Sequence, residues 1–414
     1  LTTISMKKYI NKMLNLQGLF VDKIECLDEK NILIVHCRNP HVYYNCPVCE
    51  NSTRKIHQYH YRNIKHAKLN EKQVILKLKV RRFKCKKCKK VFSEKIMGID
   101  QKKSSLNFRT EVISWLQRNS FNYIGQRFNI SGTTLNRYVL SISNCWLIDW
   151  NKIEVTKLGI DEHSFKGHEL VITITDISHH KLLAILKTDR RTDLIDFLNS
   201  IPKKAKDNIK EVCIDLKQGY KTTIKQCMPH ADIVADRFHV ETLANRMVDE
   251  IRAVVQMEHA GRKGQLKKLL LTKYYLLNDH EKKKLDMVWV KFEKYPVLKQ
   301  SWLIKEKIMQ FYRLGNYEKA EKQFKYITML FESANQNRYL GTTARTWKNW
   351  REQILNYFNN KTTNGFTEGC HTKIKMMKRV SFGFRNINNY IAKMMLAFVP
   401  LFEVVNHLIN HHTN

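Results

Sequence analysis

The sequence predicts an α+β protein of several domains, and three observations support this. Two C-x-x-C pairs lie within the first 100 residues, in a segment with strand-like alternation of apolar and polar side chains. Short apolar strands alternate with helices from residue 153, as in an α/β core. From residue 246 apolar positions recur at helical spacing. The predicted order is an amino-terminal zinc ribbon (1–100), a helix-turn-helix (104–145), the first part of an α/β core (153–245), an all-helical insertion (246–360) and the rest of the core (361–414).

Composition narrows the class of partner. The 414 residues include 73 Lys and Arg against 38 Asp and Glu, a net charge of +35, which indicates a polyanionic partner. No apolar run reaches the ~18–20 residues that span a bilayer, and the longest, Met394 to Phe402, contains Pro400. We therefore expect an intracellular protein without a membrane partner. The ten cysteines then indicate metal binding or free thiols, because disulfides are rare in a reducing compartment.

The first domain begins with a predicted helix and two strands, and it then contains the cysteine pairs. The helix is Met6 to Leu14 and the strands are Ile24 to Leu27 and Ile32 to Cys37. The pairs are Cys46 with Cys49 and Cys85 with Cys88, a spacing that predicts one closed, four-thiolate structural Zn²⁺ site. The strand Gln73 to Phe83 alternates between them, so the pairs are predicted turns of a small β-ribbon. Two unrelated pairs of free cysteines are the alternative.

Several histidines and basic residues of this domain could take part in zinc or DNA binding. A histidine could replace one thiolate, the candidates being His57, His60 and His66. The basic residues near the cysteines are predicted phosphate contacts, namely Arg81, Arg82, Lys86 and Lys87. The remaining cysteines are isolated, which is typical of buried thiols.

Residues 106 to 142 have the pattern of a helix-turn-helix. The turn is Asn129 to Gly132, with Ser131 as the N-cap of the last helix. In that helix Leu135, Tyr138 and Val139 are predicted to face inward. The side chains predicted to face DNA are Thr133, Thr134, Asn136 and Arg137. An ordinary three-helix bundle is the alternative, and the basic zinc module beside it favours DNA reading.

The α/β core is predicted from short apolar runs. The strands are Val155 to Ile160, Leu170 to Thr175, Leu182 to Leu186, Val212 to Ile214 and Ile233 to Ala235. The helices between them are Asp189 to Ile201 and Tyr220 to Met228.

Carboxylates follow two of these strands. If the strands lie side by side, Asp161 and Asp215 meet at one edge of the sheet, where they must share a proton or hold a hard divalent cation. Two Mg²⁺ ions about 3.5–4 Å apart would suit phosphodiester cleavage. A third carboxylate is then needed, and Glu368 at the start of a basic helix is the candidate. The alternative is that aspartates end strands because turns favour them.

The helical insertion separates Asp215 from Glu368. Its predicted helices are Leu243 to Met257, Leu266 to Leu277, Glu281 to Tyr295, Ser301 to Gly315, Tyr317 to Glu332 and Thr342 to Phe358. A turn at Phe382 to Asn386 and one last amphipathic helix over 387–410 complete the chain.

Several segments together resemble a known family. They are Leu158 to Glu162, Val212 to Asp215 with Gly219-Tyr220, Pro229 to Val240, Asn364 to Gly369, Ile374-Lys375 and Lys378-Arg379. These residues, over nearly the whole chain, resemble the bacterial insertion-sequence transposases of the ISL-three type. The resemblance implies an RNase H-like catalytic core with a DDE triad of Asp161, Asp215 and Glu368, and an accessory pair of Asp236 and His239. Glu162 stays outside the triad, because neighbours on a strand point to opposite faces.

The expected function follows from that resemblance. We expect a bacterial, cytoplasmic and nucleoid-associated transposase that binds the terminal inverted repeats of an insertion sequence. It would cleave double-stranded DNA with two Mg²⁺ ions and join the freed 3′ hydroxyl to target DNA, as a homodimer. Lys375 and Arg379, on one helical stripe with Glu368, would contact the DNA backbone. The alternatives are a catalytically silent DNA-binding regulator and an RNase H-like nuclease without strand transfer. His239 would either support the metal site or bond to Asp236 at the helix start.

Overall fold

The computed structural model describes residues 3–16, 18–99, 103–257, 263–334 and 337–413. The chain divides into two compact units, residues 1–147 with 374–414, and residues 148–373. The first unit contains the predicted ribbon and helix-turn-helix segments. The second contains the strands of the predicted core and the helices of the insertion.

Both units contain strands and helices, numbered in chain order. The strands are β1 (Phe20–Leu27), β2 (Ile32–Arg38), β3 (Tyr44–Asn45), β4 (Ser52–Thr53), β5 (Ile56–Leu69), β6 (Lys72–Lys84), β7 (Val91–Ser93), β8 (Lys157–Lys166), β9 (Glu169–Asp176), β10 (Lys181–Ile185), β11 (Glu211–Ile214) and β12 (Asp232–Ala235). The helices are α1 (Thr3–Met13), α2 (Leu106–Leu116), α3 (Phe121–Phe128), α4 (Gly132–Leu140), α5 (Arg191–Ser200), α6 (Lys203–Asn208), α7 (Gln218–Cys227), α8 (Arg237–Met257), α9 (Lys263–Leu271), α10 (Asp279–Lys291), α11 (Pro296–Phe311), α12 (Tyr317–Ser333), α13 (Arg338–Asn349), α14 (Arg351–Asn360), α15 (Gly365–Val380), α16 (Ile387–Phe398) and α17 (Leu401–Thr413). Short 3₁₀ turns lie at Asp28–Lys30, Ser143–Trp146 and Tyr274–Leu276.

The sheet of the first unit has the order β1-β2-β6-β5, and β7 pairs with the end of β6. Its long β5–β6 hairpin turns at Asn70 and Glu71, whose φ angles of 46° and 64° suit a tight two-residue turn. The strand β5 is absent from the sequence prediction, because much of it carries exposed polar and aromatic side chains. One face of the sheet is apolar and buried, with Val35, Leu76 and Leu78 in its core.

The helices of the first unit form a separate core. Ser105, Ser120 and Ser131 cap α2, α3 and α4, each through its hydroxyl oxygen, as predicted for Ser131. These helices share a hydrophobic cluster with α16 and α17. The prediction of one last helix over 387–410 is wrong, because the chain bends by 109° between α16 and α17, where Pro400 cannot continue a helix.

The sheet of the second unit has the order β10-β9-β8-β11-β12. The first three of these strands are antiparallel, whereas β8, β11 and β12 are parallel to one another. The structure confirms the five predicted core strands, with changed ends. Their short apolar runs lie in the main hydrophobic core of the unit.

The seven helices α8 to α14 fill the insertion, as predicted, with two differences. The helix predicted to reach Leu277 ends at Leu271 and a 3₁₀ turn follows. The helix predicted over Thr342 to Phe358 is two helices, because the backbone leaves helical geometry at Trp350, with φ −103° and ψ 16°. An aromatic cluster, including Phe324 stacked on Trp347 at 4.4 Å, holds this bundle together.

Among the described residues no single helix is long and apolar enough to cross a membrane; α16 and α17 reach that length only as a sharply bent pair.

Candidate active site

Three aspartates meet at one edge of the second sheet. The parallel strands β8, β11 and β12 are paired in register, and the residues that follow their last paired positions are Asp161, Asp215 and Asp236. Residues in register on adjacent parallel strands lie about 4.8 Å apart, so the three carboxylates form a row. The structure therefore brings together the two aspartates that the sequence predicts to be neighbours, and it adds Asp236 to them.

Asp161 does not end its strand, which corrects the sequence prediction. The strand β8 continues to Lys166 because its antiparallel partner β9 extends beyond that point, and Asp161 pairs with Thr173. Only the parallel pairing with β11 stops before Asp161. The side chain is 5% exposed, and its Oδ1 accepts a hydrogen bond from the backbone N–H of Glu162 at 2.7 Å.

The start of α15 is fastened to this row of aspartates. The backbone N–H of Asn364 donates to Asp236 Oδ1 at 3.0 Å, and its side-chain Nδ2 donates to the carbonyl oxygen of Ile160 at 3.1 Å. Asn364 thus bridges β8 and the residue that follows β12. This bridge fixes where the helix carrying Glu368 begins.

Gly159 allows the same helix to approach β8 closely. A Cβ at this position would lie 2.5 Å from Thr367 Oγ1 and 2.6 Å from both Asn364 Oδ1 and Thr175 Oγ1. The two threonine hydroxyls share a hydrogen bond of 2.7 Å directly over the glycine. A glycine is therefore needed at this position for contact, and not for an unusual backbone angle.

His239 connects two groups of potential metal ligands. Its Nε2 lies 2.8 Å from Asp215 Oδ1. One group of ligand atoms within 4.8 Å of one another comes from Asp161, Asp215 and His239, and the second comes from Asp236, His239 and Glu368. The pair Asp236 and His239 is therefore central to the cluster, and Glu368 joins it through these two residues. His239 thus lies at the acidic cluster, close to Asp236 as well as to Asp215.

A second histidine lies against the first aspartate. His371 is buried, and its Nδ1 is 3.3 Å from Asp161 Oδ2. Its ring lies 4.7 Å from the ring of His163, which shares a hydrogen bond of 2.9 Å with Thr173. Helical spacing predicts His371 on the stripe of Glu368, but the sequence prediction assigns it no role. No local pattern pairs the two histidines; the one partial signal is that His163 lies two residues after Asp161 and so on the same face of the strand.

Glu162 points away from the cluster. Its carboxylate bonds to the ammonium of Lys217 and the hydroxyl of Tyr220.

The cluster has an unbalanced charge. Burial, together with the charge of Asp215, raises the pKa of Asp161 to about 7. Burial also raises the pKa of Asp236. For His239 burial acts to lower the pKa, but the hydrogen bond to Asp215 and its charge raise the pKa to about 9. One imidazolium neutralises one carboxylate only, so the remaining carboxylates favour a cation.

The donor atoms fit such a cation. Asp236 Oδ2 is buried and accepts no hydrogen bond from any side chain or backbone group that the structure describes. A buried carboxylate oxygen without a donor is destabilising unless a proton or a metal ion satisfies it. Several carboxylates with one imidazole are a ligand set for a divalent ion.

The four cysteines of the first unit also come together, as predicted. Cys46 Sγ lies 3.5 Å from Cys88 Sγ, Cys49 Sγ lies 3.6 Å from Cys85 Sγ, and all four sulfurs are within 4.8 Å of one another. The backbone N–H of Cys88 helps to lower the pKa of Cys85 to about 6, which favours the thiolate. The cluster supports one structural zinc site and excludes two separate pairs.

The two turns that carry the cysteines have similar backbone geometry, and His66 is engaged elsewhere. Glu50 and Lys89, each one residue past a C-x-x-C pair, have φ of 55° and 61°, so both turns fold back in the same way. His66 is not near the sulfurs, since its ring bonds to Ser105 Oγ at 2.8 Å and to the carbonyl oxygen of Leu14 at 2.7 Å. The thiolates need no histidine to complete the set of four.

The residues predicted to contact DNA differ in exposure. In α4, Leu135, Tyr138 and Val139 are buried as predicted, while Thr133 and Arg137 are exposed and Thr134 and Asn136 are half-buried. Near the cysteines, Lys86 and Lys87 are exposed. Arg81 is held by Glu94 and by backbone carbonyls, and Arg82 is half-buried. Lys375 and Arg379 are exposed on α15.

Comparison with known proteins yields two family matches. Residues 158–394 match the model of the ISL3 group of DDE transposases, described as "Transposase". Residues 43–88 match the zinc finger of the transposases of IS204, IS1001, IS1096 and IS1165. The second match spans the first cysteine pair, the β5–β6 hairpin and the second pair.

Curated relatives agree with these matches. The transposase for insertion sequence element IS1001 of Bordetella parapertussis is 24% identical over 405 residues, which is 95% of this chain and 98% of that protein. The transposase for insertion sequence element IS1557 of Mycobacterium tuberculosis is 23% identical over 267 residues, 58% of this chain and 60% of that protein.

Proposed function

Because the chain belongs to the ISL3 family of transposases, we propose that it is a DDE transposase that cleaves the ends of its insertion sequence and joins them to target DNA. The observation that carries this proposal is the row of Asp161, Asp215 and Asp236 in register, with the helix of Glu368 fastened to it through Asn364. We assign Asp161, Asp215 and Glu368 as the triad. Asp236 and His239 are the supporting pair.

The sheet supports an RNase H-like core. Three antiparallel strands are followed by two parallel ones, in the order β10-β9-β8-β11-β12, with helices between the parallel strands. The first two acidic positions fall on adjacent central strands of such a sheet, and the third comes from a later helix. The helices α8 to α14 then interrupt the core between Asp236 and Glu368.

Mg²⁺ is the cation that we propose for this site. Asp161, Asp215, Asp236 and Glu368 would hold it, since Mg²⁺ takes carboxylate oxygens together with substrate phosphate oxygens. The chemistry that two bound ions supply is activation of the attacking water and stabilisation of the leaving oxygen.

The protein's own residues position this site. His239 Nε2 lies 2.8 Å from Asp215 Oδ1 and pairs with that carboxylate, while the backbone N–H of Asn364 donates to Asp236 Oδ1. Water would attack a phosphodiester at the element end and release a 3′ hydroxyl. That hydroxyl would then displace a 3′ oxygen in the target strand. No covalent bond to the enzyme is required.

The first unit is the proposed binding module for element ends. The zinc-bound ribbon and α2 to α4 would hold double-stranded DNA, with α4 as the helix of a helix-turn-helix in the major groove. Thr133, Thr134 and Arg137 are the proposed base-reading side chains, and Lys86 and Lys87 the phosphate contacts. Joining two element ends requires at least two copies, so we propose a dimer on DNA.

The test is incubation of the purified protein with linear DNA carrying its own element ends, with Mg²⁺ or with EDTA, followed by sequencing of the products. We expect metal-dependent cuts at the element boundary, joined to new DNA. Asp161→Asn, Asp215→Asn or Glu368→Gln should abolish cutting and leave end binding intact. The metal site stabilises the transition state by several kcal/mol, so its loss should lower the cutting rate by about 10³-fold.

A matched control is Asp207→Asn, an exposed aspartate of α6, which should cut at the wild-type rate. Specific binding without cuts under both conditions would identify a DNA-binding regulator instead. Cuts without joined products would identify a nuclease.

A further inference from the structure

The open face of the first sheet carries an unexpected set of side chains. On β5, Tyr59 and Tyr61 alternate on the face opposite the buried core, and they are 50% and 63% exposed. Their pairing partners on β6 are Arg81 and Lys79. Large exposed aromatic side chains side by side on a sheet are unusual unless they bind something.

Lysines lie beside these tyrosines. Lys79 Nζ lies 4.4 Å from the centre of the Tyr59 ring, which holds that ring in place. Lys77, two residues before it on β6, shares this face and is exposed. Among the residues that the structure describes, no carboxylate pairs with Lys77 or Lys79. Their charges are therefore available to an anion.

The β1–β2 half of this sheet face differs from the β5–β6 half in the pairing of its charged side chains. On β1 and β2 the basic groups are already paired, since Arg38 meets Asp22 at 2.9 Å and Lys23 meets Glu25 at 2.7 Å. The unpaired positive charge and the exposed rings therefore coincide on the β5–β6 half only. We call Tyr59, Tyr61, Lys77 and Lys79 the tyrosine–lysine face.

The same face leads into a cavity within the first unit. The next residues on this side of β5 are Asn63 and Lys65. They line a cavity of about 650 Å³ together with Ser131, the N-cap of α4, and with Thr134 and Arg137 of that helix. Lys65 Nζ donates to the carbonyl oxygen of Asn129 at 2.5 Å, which ties the sheet to the turn before α4. The tyrosines, the lysines and this cavity therefore follow one another along the same side of the β5–β6 hairpin.

We propose that the tyrosine–lysine face binds single-stranded DNA, with unpaired bases stacked on Tyr59 and Tyr61 and phosphates against Lys77 and Lys79. Stacking on an open ring requires a base that is free of its neighbours, which duplex DNA does not offer. Alternate residues of a strand are ~6.8 Å apart, so each ring can take its own base. The cavity beyond Asn63 has room for a further nucleotide. This site goes beyond the proposed chemistry and does not depend on it.

The test is fluorescence anisotropy of the full chain with a labelled oligothymidylate and with a duplex of equal length, without added Mg²⁺. Tyr59→Ala and Tyr61→Ala should each weaken binding of the single strand roughly tenfold, and duplex binding should stay unchanged. Tyr59→Phe and Tyr61→Phe should bind like the wild type, because they keep the ring. Tyr326→Ala, at a 45% exposed tyrosine of the other unit, is the matched control.

The lysines have a separate readout. Lys77→Ala with Lys79→Ala should reduce the slope of log K against log salt by about 1.4, at about 0.7 per phosphate contact of a single strand. Single-strand binding is measured without added Mg²⁺ and does not require cleavage, so this test can succeed even if the cleavage proposal fails.

Three results would overturn the proposal. They are unchanged single-strand binding in both tyrosine-to-alanine variants, an equal loss for duplex and single strand, and displacement of the oligonucleotide by polyglutamate at an equal charge concentration. The last result would indicate a surface for an acidic protein. Zinc content and circular dichroism of each variant confirm that the ribbon is folded.

Discussion

His371 Nδ1 lies 3.3 Å from Asp161 Oδ2, and both side chains are buried. The contact joins α15 to β8 at the first aspartate of the row. We therefore expect His371 to be a positioning residue for that carboxylate. His371→Ala should slow cleavage by about 10–100-fold and raise the Mg²⁺ concentration needed for half-maximal rate.

The control for this prediction is His371→Asn, whose amide nitrogen lies close to the position of Nδ1 and should restore most of the activity. The measurement is the cleavage rate as a function of Mg²⁺. A purely structural role would change the melting temperature but not the Mg²⁺ requirement. Wild-type rate and wild-type Mg²⁺ requirement in His371→Ala would contradict the prediction.

Gly159→Ala should disturb the packing of the start of α15 against β8. The new Cβ would lie 2.5 Å from Thr367 Oγ1, so the helix start must shift, at about 1–3 kcal/mol in free energy of unfolding. Cleavage should fall with it, because Glu368 is on that helix. The control is Gly341→Ala in α13, where nothing lies within 4 Å of the added carbon, and which should stabilise by up to ~1 kcal/mol. Equal melting temperatures for the two variants would contradict the close approach at Gly159.

The buried Lys393 should make the stability of the first unit depend on pH. It lies in α16, is 0% exposed, and its Nζ has no hydrogen-bond partner in the described part of the chain. Burial lowers its pKa from 10.5 to about 7. Because the folded pKa is the lower one, this group's contribution to stability is present above pH 10.5 and is lost as pH falls through about 7.

Lys393→Met keeps the chain length and removes the charge. It should raise the free energy of unfolding by a few kcal/mol, up to about 4, at neutral pH and by little near pH 10. Thermal unfolding at both pH values checks this. Lys319→Met, at an exposed lysine of α12, is the control and should show no such pH difference. A gain for Lys393→Met that is equal at both pH values would show that titration is not its cause.

Zinc removal should unfold the ribbon. Cys85→Ser breaks the set of four sulfurs, and zinc binding in such modules contributes ~10–16 kcal/mol. We expect the loss of about one zinc ion per chain and a lower first unfolding transition. Metal analysis and calorimetry measure both. Cys227→Ser, at an isolated half-buried cysteine, should keep its zinc. Full zinc content in Cys85→Ser would argue against a four-sulfur site.

The position of the acidic site was easier to predict from the sequence than the exact ends of the strands and helices. The short apolar strands before Asp215 and Asp236 were visible because a buried parallel strand is a continuous apolar run. The length of β8 was not visible in the sequence, because its pairing with β9 sets where β8 ends. The contact between His163 and His371 depends on a strand and a helix that are distant in the chain, so no local pattern contains it.

Two other differences have distinct causes. The strand β5 has tyrosines on its open face, which hide the apolar alternation that marks β6. Pro400 signals the break after Phe398, whereas no proline or glycine marks the break at Trp350, a buried residue. The cysteine pairs were read correctly because tetrahedral zinc imposes the spacing itself.

The division of the first unit between two distant segments has a consequence for synthesis on the ribosome. The helices α2 to α4 share their core with Leu396 and Val404, and Gln117 Nε2 donates to the carbonyl oxygen of Val399 at 2.7 Å. A nascent chain therefore carries this bundle incomplete while all of residues 148–373 are translated. Such non-local contacts fold slowly and leave apolar surface exposed in the meantime. The DNA-binding role proposed for α4 would then depend on the synthesis of α16 and α17.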